Sequence, residues 1–264
     1  MKNIFVLFMT LILLFAAFEK SPAYEGNQIT VTILYDNYVF NESLKTDWGF
    51  SCLVEGTEKT ILFDTGTKSE ILFHNINKLN IEPKDVEFVV ISHNHGDHTG
   101  GLFAFLEKNN RVSVYLPISF PDSFVSKVEN SGGKAIRVDK PVEICTDVYT
   151  TGEMGDRIKE QSLILDTSQG LIIITGCSHQ GIVNILKRAK EILDKKIYLV
   201  FGGFHLLQKS DKEMNKIIKE FRNLGVLKVG ATHCTGDKQI EMFKKEYGDD
   251  FVQMGVGRVL KLER

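Results

Sequence analysis

Three histidines and one aspartate lie within six residues of each other, directly after a short apolar run. They are His93, His95, Asp97 and His98. Imidazole nitrogens and carboxylate oxygens are ligands that proteins use for zinc, iron, manganese and nickel. The chain has only seven histidines, so this spacing favours a metal site over a solvated loop with chance histidines.

The residues around this cluster predict how it is positioned. The run from Val86 to Ile91 is short, rich in β-branched residues and bounded by turn residues, which is typical of a buried strand. His93 and His95 follow it two residues apart, where alternate side chains point the same way. Residues 99 to 102 then predict a turn into a helix. The cluster is therefore expected where a strand ends.

Three more histidines follow predicted strands in the second half of the chain. His179 comes after a strand predicted for Leu171 to Thr175, and His205 and His233 each follow a strand of their own. Sites in α/β sheets assemble in the loops after the strands, so these histidines are expected to face the first cluster. His74 lies inside an apparent helix and is interpreted as a surface residue. The predicted metal ligands are His93, His95, Asp97, His98, His179 and His233.

The pattern His-x-His-x-Asp-His after a strand resembles the metallo-β-lactamase superfamily, and the match is complete from His93 to His98. The resemblance implies an α/β fold, a four-layer αββα sandwich with metal ions at one edge of its two sheets. It also implies that the first two histidines bind one metal ion and that the aspartate and third histidine bind a second. Asp64 matches a superfamily aspartate beside the metal loop and is expected to orient the histidines, with a plain turn or a helix N-cap as the alternative.

Three motifs at strand ends narrow this resemblance to one branch of the superfamily. They are Gly-Cys-Ser-His at 176–179, Gly-Gly-Phe-His at 202–205 and His-Cys-Thr-Gly at 233–236. Together with the first cluster they resemble the branch that contains the archaeal dihydropterin–ribofuranosylaminobenzene phosphate synthases of methanopterin assembly. The resemblance covers nearly all of the chain after its first residues.

The sequence departs from the general superfamily pattern at two positions. Cys177 follows Thr-Gly where a bridging aspartate is common, and Glu153 follows Thr-Thr-Gly where a histidine is common. Both are therefore candidate additional ligands, with a solvated loop acid as the alternative for Glu153. A thiolate ligand favours zinc or iron over magnesium. The expected cofactor is one or two divalent metal ions, with zinc favoured and iron or manganese as alternatives.

An open metal site indicates a reaction. A metal ion with a vacant position lowers the pKa of bound water and polarises a carbonyl or phosphoryl oxygen. We therefore predict a metal-dependent hydrolase of a small ester, lactone or phosphoester. Asp97 is expected to be a ligand or proton acceptor, and His205 a proton donor to the leaving group, because a non-ligand imidazole titrates in the useful range. Two alternatives stay open: a transferase that releases diphosphate, which the branch resemblance implies, and a non-catalytic metal-binding or sensing protein.

The composition is that of a globular chain. Of its 264 residues, 43% are hydrophobic and 25% are charged, with a formal net charge of −2. No basic stretch indicates a nucleic-acid partner, so a small-molecule substrate is expected, while the oligomeric state stays open. The four cysteines permit three full disulfide pairings, between which the sequence does not choose.

The first 23 residues predict an export signal. Lys2 precedes an apolar run from Ile4 to Phe18, and Ser21-Pro22-Ala23 fits a cleavage site. The run is shorter than the roughly 20 residues that span a bilayer, which favours cleavage over a retained anchor. We expect a periplasmic or extracellular protein whose residues 24 to 264 form a single domain of two αβ halves, the second starting near Glu160. Export counts against the transferase, since pterin intermediates are cytosolic.

Overall fold

Two β-sheets face each other in the computed structural model, which describes residues 28 to 264. The predicted export signal lies outside the described residues. The first sheet has seven strands, in the spatial order β13 (Val259–Glu263), β1 (Gln28–Tyr35), β2 (Ser51–Glu55), β3 (Ile61–Phe63), β4 (Phe88–Val90), β5 (Ser113–Pro117) and β6 (Lys134–Val138). Strands β13 to β3 pair antiparallel, and β3 to β6 pair parallel.

The second sheet has six strands and again combines both kinds of pairing. In spatial order they are β12 (Lys228–Thr232), β11 (Ile197–Gly203), β10 (Gly170–Thr175), β9 (Leu163–Thr167), β8 (Val148–Thr150) and β7 (Val142–Cys145). Strands β10, β11 and β12 run parallel, so their carboxyl ends lie at one edge of the sheet. The loops that follow β10, β11 and β12 therefore open towards the same edge.

Helices connect the parallel strands, because such strands need crossover connections. The helices are α1 (Ser69–Lys78), α2 (Gly96–Thr99), α3 (Leu102–Lys108), α4 (Asp122–Asn130), α5 (Ile182–Ile192), α6 (Asp211–Asn223) and α7 (Asp237–Tyr247), with 3-10 turns at Pro83–Asp85, His233–Thr235 and Gly248–Asp250. One apolar cluster lies between the sheets, and one lies under the helices of each half. The four-layer αββα sandwich predicted from the resemblance is confirmed.

Strand β10 shows how the sequence builds these layers. It is apolar at four successive positions and buried throughout. Side chains alternate along a strand, so Ile172 and Ile174 pack in the cluster between the sheets, while Leu171 and Ile173 pack under the helices. A strand covered on both faces in this way holds the loop that follows it in a fixed position. That loop carries Cys177 and His179.

The division of the strands between the two sheets differs from the prediction. We expected the second half to begin near Glu160, but β7, at Val142–Cys145, already belongs to the second sheet. It pairs antiparallel with β8, a three-residue strand that the sequence pattern did not reveal. The last strand, β13, returns to the first sheet and pairs with β1. Hydrophobic alternation marks a strand but does not say which sheet it joins.

The helices of the described residues are short. None of them, from residue 28 to residue 264, is long and apolar enough to cross a membrane.

Candidate metal centre

Three imidazoles converge where strands β4 and β10 end. His93 Nε2 lies 3.1 Å from His95 Nδ1 and 3.3 Å from His179 Nε2. His93 is buried, and His95 and His179 are half-buried. Such separations fit three ligands around one ion at metal–nitrogen distances of about 2.1 Å. We call His93, His95 and His179 the first ligand group.

A second group of four different ligand atoms lies beside the first. Asp97 Oδ2 is 3.6 Å from His98 Nε2 and 3.4 Å from His233 Nε2. Cys177 Sγ is 3.2 Å from the same nitrogen of His98 and 3.5 Å from that of His233. We call Asp97, His98, Cys177 and His233 the second ligand group. Two imidazoles, a carboxylate and a thiol match the ligand preferences of zinc and iron.

The structure thus brings together all six side chains predicted as metal ligands, and with them Cys177, one of the two candidate additional ligands. Glu153 is placed elsewhere, where its carboxylate accepts a hydrogen bond of 2.8 Å from the backbone nitrogen of Ser119. It belongs to none of the ligand groups found among the described residues. His74, on α1, also lies outside these groups.

Asp64 orients two of the histidines. Its Oδ2 accepts hydrogen bonds of 2.7 Å from His98 Nδ1 and from the Ser92 hydroxyl, and its Oδ1 accepts one from the Ser92 backbone. The Ser92 oxygen is in turn 2.9 Å from His93 Nδ1, which acts as donor because the Ser92 proton is used. Both rings are therefore held through Nδ1 and turn Nε2 towards the ligand groups. The alternative role as N-cap is wrong, since Lys68 occupies that position of α1.

Asn37 does the same for His233 from the opposite end of the chain. Its amide oxygen accepts from His233 Nδ1 at 2.8 Å, and its amide nitrogen donates to the His233 carbonyl at 2.9 Å. The neighbouring Asp36 accepts from the Thr232 hydroxyl at 2.6 Å, and burial raises the pKa of Asp36 to about 6. The local sequence does not single out Asp36 or Asn37 as part of a site. No local signal reveals contacts across 196 residues.

Glu160 is a further residue that the sequence did not single out. It is fully buried, and its two carboxylate oxygens accept hydrogen bonds of 2.8 and 2.6 Å from the backbone nitrogens of Ser178 and His179. Ser178 has a φ of +65°, a strained conformation that these bonds help to hold. Burial raises the pKa of Glu160 to about 7. Glu160 therefore fixes the turn from which His179 reaches the first ligand group.

Replacing Glu160 by glutamine is expected to loosen this turn. An amide nitrogen cannot accept, so one buried backbone N–H loses its partner, which costs about 1–3 kcal/mol. We expect the affinity of the first ligand group for zinc to fall about 10-fold or more, the usual range for a partner that orients a ligand. Competition titration with a chromophoric chelator measures this zinc affinity. Glu153→Gln is the matched control, and equal zinc affinities of the two variants would contradict the role of Glu160 in holding His179.

His205 lies exposed beside the first ligand group. Its ring centroid is 4.3 Å from that of His179, and its ligand nitrogen lies near the sulfurs of Cys177 and Cys234. A hydrogen bond with the Cys234 side chain raises the pKa of His205. The glycine at 203 is required here, since a Cβ would lie 2.7 Å from the Cys234 sulfur. His205 belongs to neither of the two ligand groups defined above.

The electrostatic environment keeps the first group neutral. Burial, together with the neighbouring imidazoles, lowers the pKa of His93 well below its usual value and that of His179 to about 3. For Asp97, burial acts to raise the pKa, but a hydrogen bond from His233 and the charge of His98 outweigh it and the pKa is lowered. Neutral imidazoles and an ionised carboxylate are the forms that bind metal ions. All four cysteines are free thiols.

A cavity of about 540 Å³ opens over both ligand groups. A second cavity, of about 920 Å³, shares two of its wall residues, His179 and His205. The first is lined by Asp47, Trp48, Thr67, Lys68, His95, Gly96, Asp97, Cys177, His179, His205 and Cys234. Side chains of both ligand groups thus border space that is open to a small molecule.

Comparisons with known proteins agree with this geometry. The model of the metallo-beta-lactamase superfamily matches residues 49–180. A 7,8-dihydropterin-6-methyl-4-(beta-D-ribofuranosyl)-aminobenzene-5'-phosphate synthase of Methanocaldococcus jannaschii is 32% identical, over 89% of this chain and 97% of that protein. An uncharacterised protein of the same organism is 30% identical, over 87% of this chain and 99% of its own length.

A solved structure shares both fold and sequence with this chain. It is described as a metal-dependent hydrolase of the beta-lactamase superfamily. It superposes with a TM-score of 0.75 at 30% sequence identity, and the match covers 89% of this chain and all of that one (100%).

Proposed function

Because the chain belongs to the metallo-beta-lactamase superfamily, we propose that it is a metal-dependent hydrolase of a small ester, lactone or phosphoester. The observation that carries this proposal is the position of both ligand groups at the wall of one cavity. A substrate in that cavity lies within reach of either group. Similarity to a described metal-dependent hydrolase supports the same reaction class.

Each part of the site has a role in such a reaction. Bound metal ions supply a water molecule of lowered pKa and a Lewis acid for the carbonyl or phosphoryl oxygen. The residues of the chain hold those ions, with Asp64, Asn37 and Glu160 keeping the ligands oriented. We propose zinc or iron, because the thiol of Cys177 is a soft ligand. The hydrogen bond with Cys234 and burial raise the pKa of Cys177, so binding of a metal ion at this thiol releases a proton.

We assign the transfer of a proton to the leaving group to His205. It is exposed, it lines both cavities, and it stands outside the two ligand groups. Its raised pKa keeps a larger share of the imidazole protonated near neutral pH than an ordinary histidine would have. Asp97 faces the same cavity as a ligand and as an acceptor for a proton from water.

Metal loading combined with a substrate panel tests the proposed reaction. The chain is stripped with a chelator, reloaded separately with zinc, iron or manganese, and assayed on an ester, a lactone and a phosphodiester. We expect no turnover without metal, and turnover of at least one substrate class with zinc or iron. Failure of all three substrates with every metal, in a chain that binds metal, would contradict the proposal.

A transferase is the second candidate function. The relative that is 32% identical over 89% of the chain is named as a synthase. The two reactions differ in the nucleophile, water in one case and an arylamine in the other. Assays of an activated diphosphate ester with an arylamine in oxygen-labelled water distinguish them. Label in the product supports the hydrolase, whereas a product that contains the amine supports the transferase.

A further inference from the structure

Trp48, the one tryptophan of the chain, lies at the wall of the cavity over the ligand groups. Nearly half of its surface, 49%, is exposed. Scattered exposed aromatic residues need no explanation in a soluble domain. This one differs because its ring is held in place from several sides beside the metal ligands.

Two contacts hold the indole ring. Its Nε1 donates a hydrogen bond of 2.9 Å to Asp97 Oδ2, an atom of the second ligand group. Its ring centroid is 5.1 Å from that of His233, at a tilt of 52°. These contacts restrain the ring against the ligands while its remaining surface stays open to the cavity.

The backbone on both sides of the indole is held as well. The Trp48 carbonyl accepts a hydrogen bond from the Thr67 hydroxyl, and the Phe50 nitrogen donates to the Asp97 carbonyl at 3.2 Å. Gly49 lies between them with a φ of +146°, and a Cβ there would lie 2.7 Å from the Asp97 carbonyl oxygen. Only glycine permits this close approach to the metal loop. The segment is built to place the ring at the metal centre.

We propose that Trp48 is a binding platform for a planar ring of the substrate, so that the substrate class is an aryl or heteroaryl ester, lactone or phosphoester. Imidazoles of His179 and His205 line the same cavity, and the Lys68 ammonium, 2.9 Å from Asp47, lies at its rim. A flat ring between an indole and imidazoles gains offset or edge contacts beyond the area that it buries. This inference rests on the proposed function for the bond that is cleaved and for the cavity as the substrate site, whereas the preference for a planar ring is measured without hydrolysis.

A matched pair of ligands tests the platform without any turnover. Benzoate and cyclohexanecarboxylate carry the same charge and the same number of carbons, but only benzoate is planar. We expect the zinc-loaded chain to bind benzoate about fivefold more tightly, within the range measured for aromatic pairs. Calorimetry gives both affinities, and quenching of the single tryptophan reports binding at the platform directly.

Two variants separate the ring from the hydrogen bond that it makes. Trp48→Phe keeps a ring but loses the donor to Asp97, so it should retain most of the preference for benzoate. Trp48→Leu should bring the ratio of affinities close to one, while Phe40→Leu, which alters an exposed aromatic outside the cavity, should leave it unchanged.

Several results would overturn the platform. One is equal binding of both carboxylates by the native chain, and binding of neither would count equally against it. Another is a preference for benzoate that survives in Trp48→Leu. The third is an equal weakening of both ligands in Trp48→Phe and Trp48→Leu, which would leave Trp48 as a residue that only positions Asp97. Hydrolysis is measured separately, so a ring preference without turnover would contradict the hydrolase and keep the platform.

Discussion

Replacing His179 by alanine is expected to empty the first ligand group and to lower turnover by more than 100-fold. Its Nε2 is one of only three ligand atoms in that group, and two imidazoles do not hold a metal ion firmly. Loss of a residue that merely orients a ligand already costs about 10- to 100-fold, so loss of a ligand should exceed that. Elemental analysis of the dialysed protein should show that it holds less metal than the native chain. Steady-state assays should show the loss of turnover.

His74→Ala is the matched control for this variant. It makes the same chemical change on α1, outside every ligand group of the described residues. Metal content and turnover should both stay at the native level. Native metal content in His179→Ala would show that the first group is not a binding site and would sink the assignment.

Replacing His205 by alanine is expected to leave the metal content intact and to lower turnover by about 100-fold or more, the usual scale for a lost general acid. Substrates with good leaving groups should lose least, because they need no proton on departure. The pH profile provides a second measurement. A proton donor must be protonated, so native activity should fall as pH rises through the pKa of His205, which lies above that of an ordinary histidine.

The structure also contains a specific alternative to an acid role for His205, namely that of a metal ligand. His205, Cys177 and Cys234 form a third set of possible metal ligands. If His205 is a ligand, His205→Ala should lose metal together with activity. An equal loss of rate for good and poor leaving groups, with metal retained, would instead leave His205 as a residue that positions the substrate. Either outcome refutes the acid role.

Local spacing in the sequence was enough to predict most of the side chains that converge in the candidate centre. His93 and His95 lie on the loop after β4, and Asp97 and His98 follow at once on the short helix α2, so their approach depends on a few backbone angles. His179 and His233 were predicted from a rule of α/β sheets, that loops after strands meet at one edge. The two strands that precede these histidines, β10 and β12, are recognisable in the sequence from their apolar pattern.

Only the tertiary structure decided which candidate ligands reach the centre and which residues support them. Cys177, a candidate in the sequence, meets His98 across 79 positions of the chain, and Asn37 meets His233 across 196. Glu153 and Glu160 lie in the same loop, yet the first turns to Ser119 while the second is buried under His179. Because both residues are glutamates, their chemistry alone does not indicate which of them lies beside the ligands.

The physical reason is that composition and periodicity describe what a segment buries, not which distant segment it meets. The local sequence does not single out Trp48 as part of a site. The packing of its loop against Asp97, through Gly49, turned it into part of the cavity wall. Strand β7 belongs to the second sheet because it pairs with β8, and β8 in turn pairs with β9 of that sheet. Such contacts are settled by the packing of the whole chain, where long-range pairing outweighs local preference.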